Sequence, residues 1–252
     1  MRAGVRKALR TAQNFFPWLA EAKNDAYHLA RRYLGTVHDG DFRVVQLLPR
    51  SADDLFVDVG ANRGQSILAI RRYRGDARIV SFEPNPVIFN RLQRRFGTVA
   101  GVRLVNVGLG EAAADLPLYV PSYRGFVYDG IASFSRHSAT TYFCPRTLHF
   151  YDPKRVTIAE HVCQIRTLDS FDLAPSFLKI DIEGYEYEAL LGGQETLRRH
   201  EPVLLIERYY GDSRVAELLS SMDYAEIVER DGRLVPGTST GLNMLLATPR
   251  RV

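Results

Sequence analysis

Residues 55–64, LFVDVGANRG, constrain what this chain can fold into more than any other stretch. Leu55–Val59 is a short apolar run, partly β-branched and interrupted only by Asp58, which suits a strand buried in a parallel sheet. It ends in Gly60-Ala61-Asn62-Arg63-Gly64 and hands over to a helical segment, Gln65–Tyr73, where Ile67, Leu68 and Ile70 can pack. A strand that breaks on glycines at a helix N-terminus brings backbone N–H groups close to a ligand. Asp58 falls at the strand's carboxyl end, where open α/β sheets bind their ligands. For this stretch alone, an ordinary βα turn with a glycine cap is the plainer alternative.

The pattern continues. A second strand, 77–82, ends in Glu83-Pro84-Asn85-Pro86, with Glu83 25 residues after Asp58. An acid at the tip of the second strand, about 20 residues past the glycine turn, is where such folds bind the two hydroxyls of a ribose. A carboxylate can accept from both. A helix is expected over 87–96, a third strand over 102–107, ending near Asn106-Val107-Gly108, and a hairpin strand over 116–120. From 121 to 163 regularity fails, and Tyr123, Phe126, Tyr128, Phe134, Tyr142, Phe143, Phe150 and Tyr151 lie scattered among Gly, Ser, Arg, Pro and His. Such a stretch suits a lid-like insertion facing a sugar or polyketide-like acceptor, a satellite hydrophobic cluster or a dimer contact. His137, His149 and His161 lie in it, each more ordinary than catalytic by default.

Order returns at 164–166, and a strand over 177–182 runs into Glu183-Gly184-Tyr185-Glu186. Strand alternation points Asp181 and Glu183 to one side. Acids ending an apolar central strand need a reason, because burying them unpaired is costly. They can anchor a cofactor amine, bind a hard divalent cation, take a proton from a hydroxyl, or cap the helix that follows. Strands at Val203–Glu207, 224–229 and 243–248 follow, with a helix over 214–222. The alternation implies an α/β fold with a mostly parallel sheet and an antiparallel strand at its end.

The chain's 252 residues, 46% hydrophobic and 25% charged, fit a globular protein. Its net charge of +4 is uneven: the first 50 residues hold nine Lys/Arg and four Asp/Glu, leaving the rest at −1. Residues 1–41 therefore read as a basic helical arm in two pieces around Pro17, and 42–252 as the main domain with its insertion at about 121–163. Such an arm either contacts an anionic membrane surface or packs on the domain with a solvated face. Cys144 and Cys163 are too few for a disulfide scaffold or a Cys-rich zinc site, so a reducing cytoplasm is the expected setting. Arg6, Lys7 and Arg10 interrupt any secretory-type apolar core, and no run approaches membrane-span length.

Taken in order, the motifs resemble the FkbM-type S-adenosylmethionine-dependent methyltransferases. They are Asp58 to Gly64, Phe82 to Pro86, Asn106 to Gly110, Thr167-Leu168-Asp169, Lys179 to Glu186, and Glu207 after Pro202. The resemblance implies a Rossmann-like, seven-stranded sheet of class I methyltransferase type and methyl transfer to a hydroxyl on a sugar, glycolipid or polyketide-type acceptor. It also implies that Asp58, Gly60 and Asn62 line the methionine end of the cofactor and Glu83 takes the ribose hydroxyls. Pro84 and Asn85 would flank the adenine, Asn106, Val107 and Gly108 would pass its other side, and Asp181 would face the reacting end. The family supplies no assigned base. Asp181, Glu183 or an insertion histidine could accept the acceptor's proton, or magnesium on Asp181 and a second carboxylate could lower the hydroxyl's pKa. Asp181 is favoured as proton acceptor or metal ligand.

Three rivals remain. An NAD enzyme needs a G-x-G-x-x-G turn, whereas the spacing here is Gly60-x-x-x-Gly64, with an acid that would repel a pyrophosphate. A nucleic-acid methyltransferase would use the basic arm on phosphates, but no nucleic-acid module accompanies it, so no nucleic-acid partner is expected. A methyltransferase-like binding subunit would keep the fold without turnover.

Overall fold

The computed structural model describes residues 7–8, 11–12, 14–16, 40–51, 54–208 and 213–252. Among these, the strands in chain order are β1 (Leu55–Val59), β2 (Arg78–Phe82), β3 (Val102–Val105), β4 (Gly108–Leu109), β5 (Ala114–Tyr123) and β6 (Phe126–Val127). Then come β7 (Val156–Arg166), β8 (Phe177–Ile180), β9 (Val203–Glu207), β10 (Ala225–Arg230), β11 (Arg233–Pro236) and β12 (Asn243–Ala247). Two compact units emerge: a sheet unit of 37–115 with 163–252, and an arm–insertion unit of 1–36 with 116–162.

The sheet unit is built on an eight-stranded sheet in the order β11-β10-β12-β9-β8-β1-β2-β3. β1 lies at the centre of its parallel set, between β2 and β8, which β3 and β9 extend. Side chains alternate along β1, so Val57 and Val59 join one core while Phe56 joins the other. The first core packs Val80, Phe82, Leu178, Ile180 and Leu204 against Leu190, Leu197 and Leu219 from the helices Glu186–Leu191, Gln194–His200 and Ser213–Ser220. The second packs Ile79, Phe177 and Leu205 against Ile67, Ile70, Ile88 and Leu92 of the helices Gln65–Tyr73 and Pro86–Phe96. Burial on both faces is why β1, β2, β8 and β9 read as apolar runs broken inside only by Asp58, Ser81 and Lys179.

The far side of the sheet differs from expectation. It has eight strands where seven are implied; an antiparallel strand, β11, does end it, but a second reversed strand, β12, sits inside, between β9 and β10 and antiparallel to both. Burial explains the order. β12 encloses Met244, Leu246 and Ala247, whereas β10 buries only Ile227, so the more apolar strand takes the inner place. β11 adds an edge by hairpin pairing with β10 across Asp231-Gly232. Its four residues, Arg-Leu-Val-Pro, are too few to show a period within a turn-rich stretch.

The stretch expected to lack regularity is also ordered. It contains β6, the helix Arg136–Thr141 and most of β7, and β5–β6 form a hairpin at Arg124-Gly125. A second sheet has the order β4-β7-β5-β6. β7 escapes pattern reading because its inward phase slips. Val156 and Ile158 are half-buried, Ala159 and Glu160 are both exposed, and thereafter the odd positions Cys163 and Ile165 are buried. Tyr123, Tyr128, Phe143 and Leu148 form a separate core within the arm–insertion unit. The arm joins it through Asn14, which is buried and accepts from the Tyr128 hydroxyl at 2.7 Å. The helical piece expected between residues 19 and 33 lies outside the described residues. No described helix is long and apolar enough to cross a membrane.

Gly60 is the tightest point at the centre of the sheet. Its φ is +80°, and a Cβ there would lie 2.0 Å from the Asp181 carbonyl oxygen. Gly60→Ala is expected to destabilise the chain by more than the ~1–2 kcal/mol of left-handed strain alone, read as a lower urea midpoint at unchanged m-value.

Candidate functional site

Strand register lines up three polar side chains. Ser81, Asp58 and Lys179 are direct partners across β2, β1 and β8, and all three are buried. The Ser81 hydroxyl donates to Asp58 Oδ2 at 3.1 Å. Lys179 Nζ lies 3.3 Å from Asp58 Oδ1 and 3.5 Å from Asp181 Oδ2. It also donates to the carbonyls of Val59 at 3.2 Å and Gly60 at 2.9 Å. Burial by itself would lower the lysine's pKa, but the Asp58 and Asp181 carboxylates reverse this and hold it above its ordinary value. Lys179 is therefore a charged bridge between the two acids that end β1 and β8.

Beyond the bridge the chain turns through Gly60 and Asn62, whose φ values of 80° and 45° are both left-handed. The turn directs the Asn62 N–H at Glu83 Oε2, 2.8 Å away, while the Asn85 N–H reaches Oε1 at 2.9 Å. Glu83 is thereby fixed at the tip of β2. Burial pushes its pKa up to about 7, against the opposing pull of those two N–H bonds. Asn85 also caps the helix Pro86–Phe96, its Oδ1 accepting from Val87 and Ile88 N–H. The Asn106 amide donates to the carbonyls of Glu83 at 2.7 Å and Pro84 at 3.2 Å, and the Cys163 thiol donates to Pro84 O. Two buried polar atoms here, Asn62 Oδ1 and Asn85 Nδ2, have no hydrogen-bond partner in the protein.

A second group forms at the ends of β8 and β9. Oxygens of Asp181, Glu183 and Glu207 all lie within 4.8 Å of one another. Glu183 and Gly184 take φ values of 55° and 93°, and Glu186 Oε1 pins that turn by accepting from Ile182 and Gly184 N–H. Partial burial first, and then repulsion from Asp181 and Glu186, push the Glu183 pKa up to about 7. Glu207 rises to about 7 for like reasons, burial first and then repulsion from Asp181 and Glu183.

A cavity of about 220 Å³ opens at this end of the sheet, with Gly60, Asn62, Lys179, Asp181 and Glu207 in its wall. Of the residues named from sequence, Gly60, Asn62 and Asp181 face it. Glu83, Pro84, Asn85 and Asn106 form a connected rim joined to it through the Asn62–Glu83 bond. Asp58 lies wholly enclosed beneath the turn, its carboxylate engaged by Lys179 and Ser81. Val107 is in the core, Gly108 pairs with Ile165, and Glu183 belongs to the acid group outside the cavity wall. Sequence reading assigned no role to Lys179 and left Glu207 out of the site. A lysine inside FLKI and an acid ending VLLIE were the available signals.

A sequence profile described as Methyltransferase FkbM domain matches residues 58–229. The chain is 28% identical over 164 residues to the methyltransferase sdnD of Sordaria araneosa, covering 57% of this chain and 62% of that protein. It therefore spans less than two thirds of sdnD. It is 23% identical over 202 residues to the 2-O-methyltransferase NoeI of Sinorhizobium fredii, covering 77% and 81% of the two chains. To the hexuronic acid methyltransferase AglP of Haloferax volcanii it is 27% identical over 212 residues, covering 76% and 74%. The crystal structure of methyltransferase FkbM from Methylobacillus flagellatus gives a TM-score of 0.49 at 21% identity, over 80% of this chain and 45% of that one.

Removing the bridge tests its weight. Lys179→Met leaves Asp58 buried without its counter-charge and should cost about 3–5 kcal/mol in urea unfolding. Adding Asp58→Asn should recover part of that loss, so that the double substitution costs less than the sum of the two singles.

Proposed function

Because the chain belongs to the FkbM methyltransferase family, we propose that it uses S-adenosylmethionine to methylate a hydroxyl on a sugar, glycolipid or polyketide-type acceptor. The observation that carries the cofactor reading is the Glu83 carboxylate, oriented at the tip of β2 by the Asn62 and Asn85 N–H groups. Each oxygen accepts one backbone bond and keeps a lone pair, so together they can take both ribose hydroxyls. The unpartnered Asn62 Oδ1 and Asn85 Nδ2 supply an acceptor and a donor beside it. The donor set therefore fits the cofactor. Pro84, Asn85 and the segment Asn106 to Gly108 would border its adenine, and the Gly60–Asn62 turn its methionine end. Asp58 would act there indirectly, by holding Lys179 under that turn.

Bound S-adenosylmethionine supplies a methyl group activated on a sulfonium, which leaves as a thioether in an in-line displacement. The protein's part is to position the acceptor and remove its proton. Asp181, Glu183 and Glu207 offer carboxylates for this, and Glu183 and Glu207, with pKa values of about 7, accept a proton near neutrality. The same three carboxylates would offer oxygen donors to a hard divalent cation such as magnesium. Magnesium dependence of turnover, abolished by EDTA, would move hydroxyl activation from proton transfer to the cation. The printed names of NoeI and AglP, an O-methyltransferase and a hexuronic acid methyltransferase, support a sugar hydroxyl as acceptor.

Calorimetric titration with S-adenosylhomocysteine tests the cofactor assignment. Glu83→Ala should weaken binding by about 1.5–3 kcal/mol, the range for hydrogen bonds to a charged group. Since Glu83 must be ionised to accept twice, wild-type affinity should rise with pH through about 7, while Glu83→Gln stays flat. A folded Glu83→Ala variant with unchanged affinity would remove Glu83 from the site. Glu207→Gln should instead lower kcat by about 10²–10⁴ and abolish its rise through pH 7, leaving S-adenosylhomocysteine affinity in place.

A further inference from the structure

Charge is segregated between the two units. The arm–insertion unit carries 12 Lys/Arg against five Asp/Glu, a balance of +7, whereas the sheet unit carries 21 against 24, or −3. Residues 1–16 contain Arg2, Arg6, Lys7 and Arg10, no acid, and end in Phe15-Phe16. Those two rings are 54% and 53% exposed, and Phe150, in the insertion, is 84% exposed.

The three phenylalanines belong to one region of the unit. The Arg124 guanidinium lies 5.1 Å from the Phe15 ring centre and 5.8 Å from that of Tyr123. The Tyr123 hydroxyl donates to the Phe150 carbonyl at 3.1 Å, and the Arg124 N–H donates to the Arg155 carbonyl. On the other side of Phe150, the His149 N–H donates to Thr11 Oγ1 at 3.0 Å, four residues before Phe15. Phe150 adopts φ +54°, a conformation bulky residues avoid. Its ring stands in solvent although its carbonyl accepts from Tyr123 of the aromatic core. Exposed rings set among cations that outnumber the acids, of which Arg155 pairs with Asp152 at 3.7 Å, match an anionic lipid interface, where aromatics enter the headgroup layer and Lys/Arg meet lipid phosphates.

We propose that this face of the arm–insertion unit, with Phe15, Phe16 and Phe150 as its apolar contacts and Lys7, Arg124 and Arg155 as its cations, docks on an anionic bilayer surface. A single-stranded nucleic acid would need free ring faces for base stacking. One face of Phe15 is already taken by Arg124, and the phenylalanines offer no hydrogen bonds to base edges. The docking does not depend on methyl transfer and stands or falls apart from it.

Flotation of the full chain with phosphatidylcholine vesicles, and with mixed phosphatidylcholine–phosphatidylglycerol vesicles, tests the proposal. The protein should float with the anionic vesicles only, and Phe150→Ser and the pair Phe15→Ser/Phe16→Ser should each lower the bound fraction about tenfold at an unchanged melting midpoint. In the unmodified chain, anionic vesicles should slow amide hydrogen exchange across 149–155 and leave 55–64 unaffected. Absence of flotation, or exchange at 149–155 that vesicles do not change, overturns the docking. Binding that disappears at ~0.5 M salt and ignores the phenylalanine substitutions also overturns it, because the rings would then take no part. Tighter binding to a single-stranded oligonucleotide, lost in the same variants, would assign the face to nucleic acid instead.

Discussion

The ammonium of Lys179, enclosed between Asp58 and Asp181, is the interaction on which the rest of the site depends. Parallel strands deliver their carboxyl ends to one edge of a sheet, and here β1 and β8 each bring an acid there. Two carboxylates so close in a low-dielectric setting would repel each other and draw in water. Lys179 neutralises the pair from within the sheet and also gathers the Val59 and Gly60 carbonyls, fixing where β1 stops. A buried ion pair adds little net stability over well-packed apolar groups of the same volume. What this one secures is position: the turn that follows β1 starts from a single place.

From that fixed turn the site divides into two chemically distinct parts. At the tips of β1 and β2, backbone N–H groups aim at Glu83, creating a neutral cradle around one carboxylate. At the tips of β8 and β9, three carboxylates crowd together, and desolvation first, then their mutual repulsion, raises the proton affinity of Glu183 and Glu207. The first arrangement suits holding a polar ligand in a set orientation. The second suits storing and exchanging a proton near neutral pH. Both follow from one topological fact, that β9, β8, β1 and β2 run parallel and end together.

The arm–insertion unit has different physics. It has its own aromatic core and carries the chain's positive charge, while the sheet unit is net negative. Aromatic stacking and edge contacts among Tyr123, Tyr128, Tyr142 and Phe143 give it cohesion. A satellite hydrophobic cluster is among the readings that the sequence of residues 121–163 allows, but the strands and helix of this stretch are not legible because neither period-2 nor period-3.6 patterning survives in it. Its strands are short or, like β7, change phase in the middle.

By itself the sequence determined the central strands β1, β2, β8 and β9, because burial on both faces writes a nearly continuous apolar run. It also determined the acids Asp58, Glu83 and Asp181 that mark their carboxyl ends, because a charge at the end of such a run is conspicuous. Tertiary structure alone decided the rest. Asp58 and Lys179 are 121 residues apart in the chain and become partners only through the pairing of β1 with β8. The inner place of β12 came from competition between two late strands for the exposed edge of β9, settled by which buries more apolar surface. Local pattern reports what a residue prefers, whereas register and strand order depend on contacts between distant segments. Those contacts determine that Asp58 is buried under the turn and that Glu207 stands beside Asp181 at the mouth of the site.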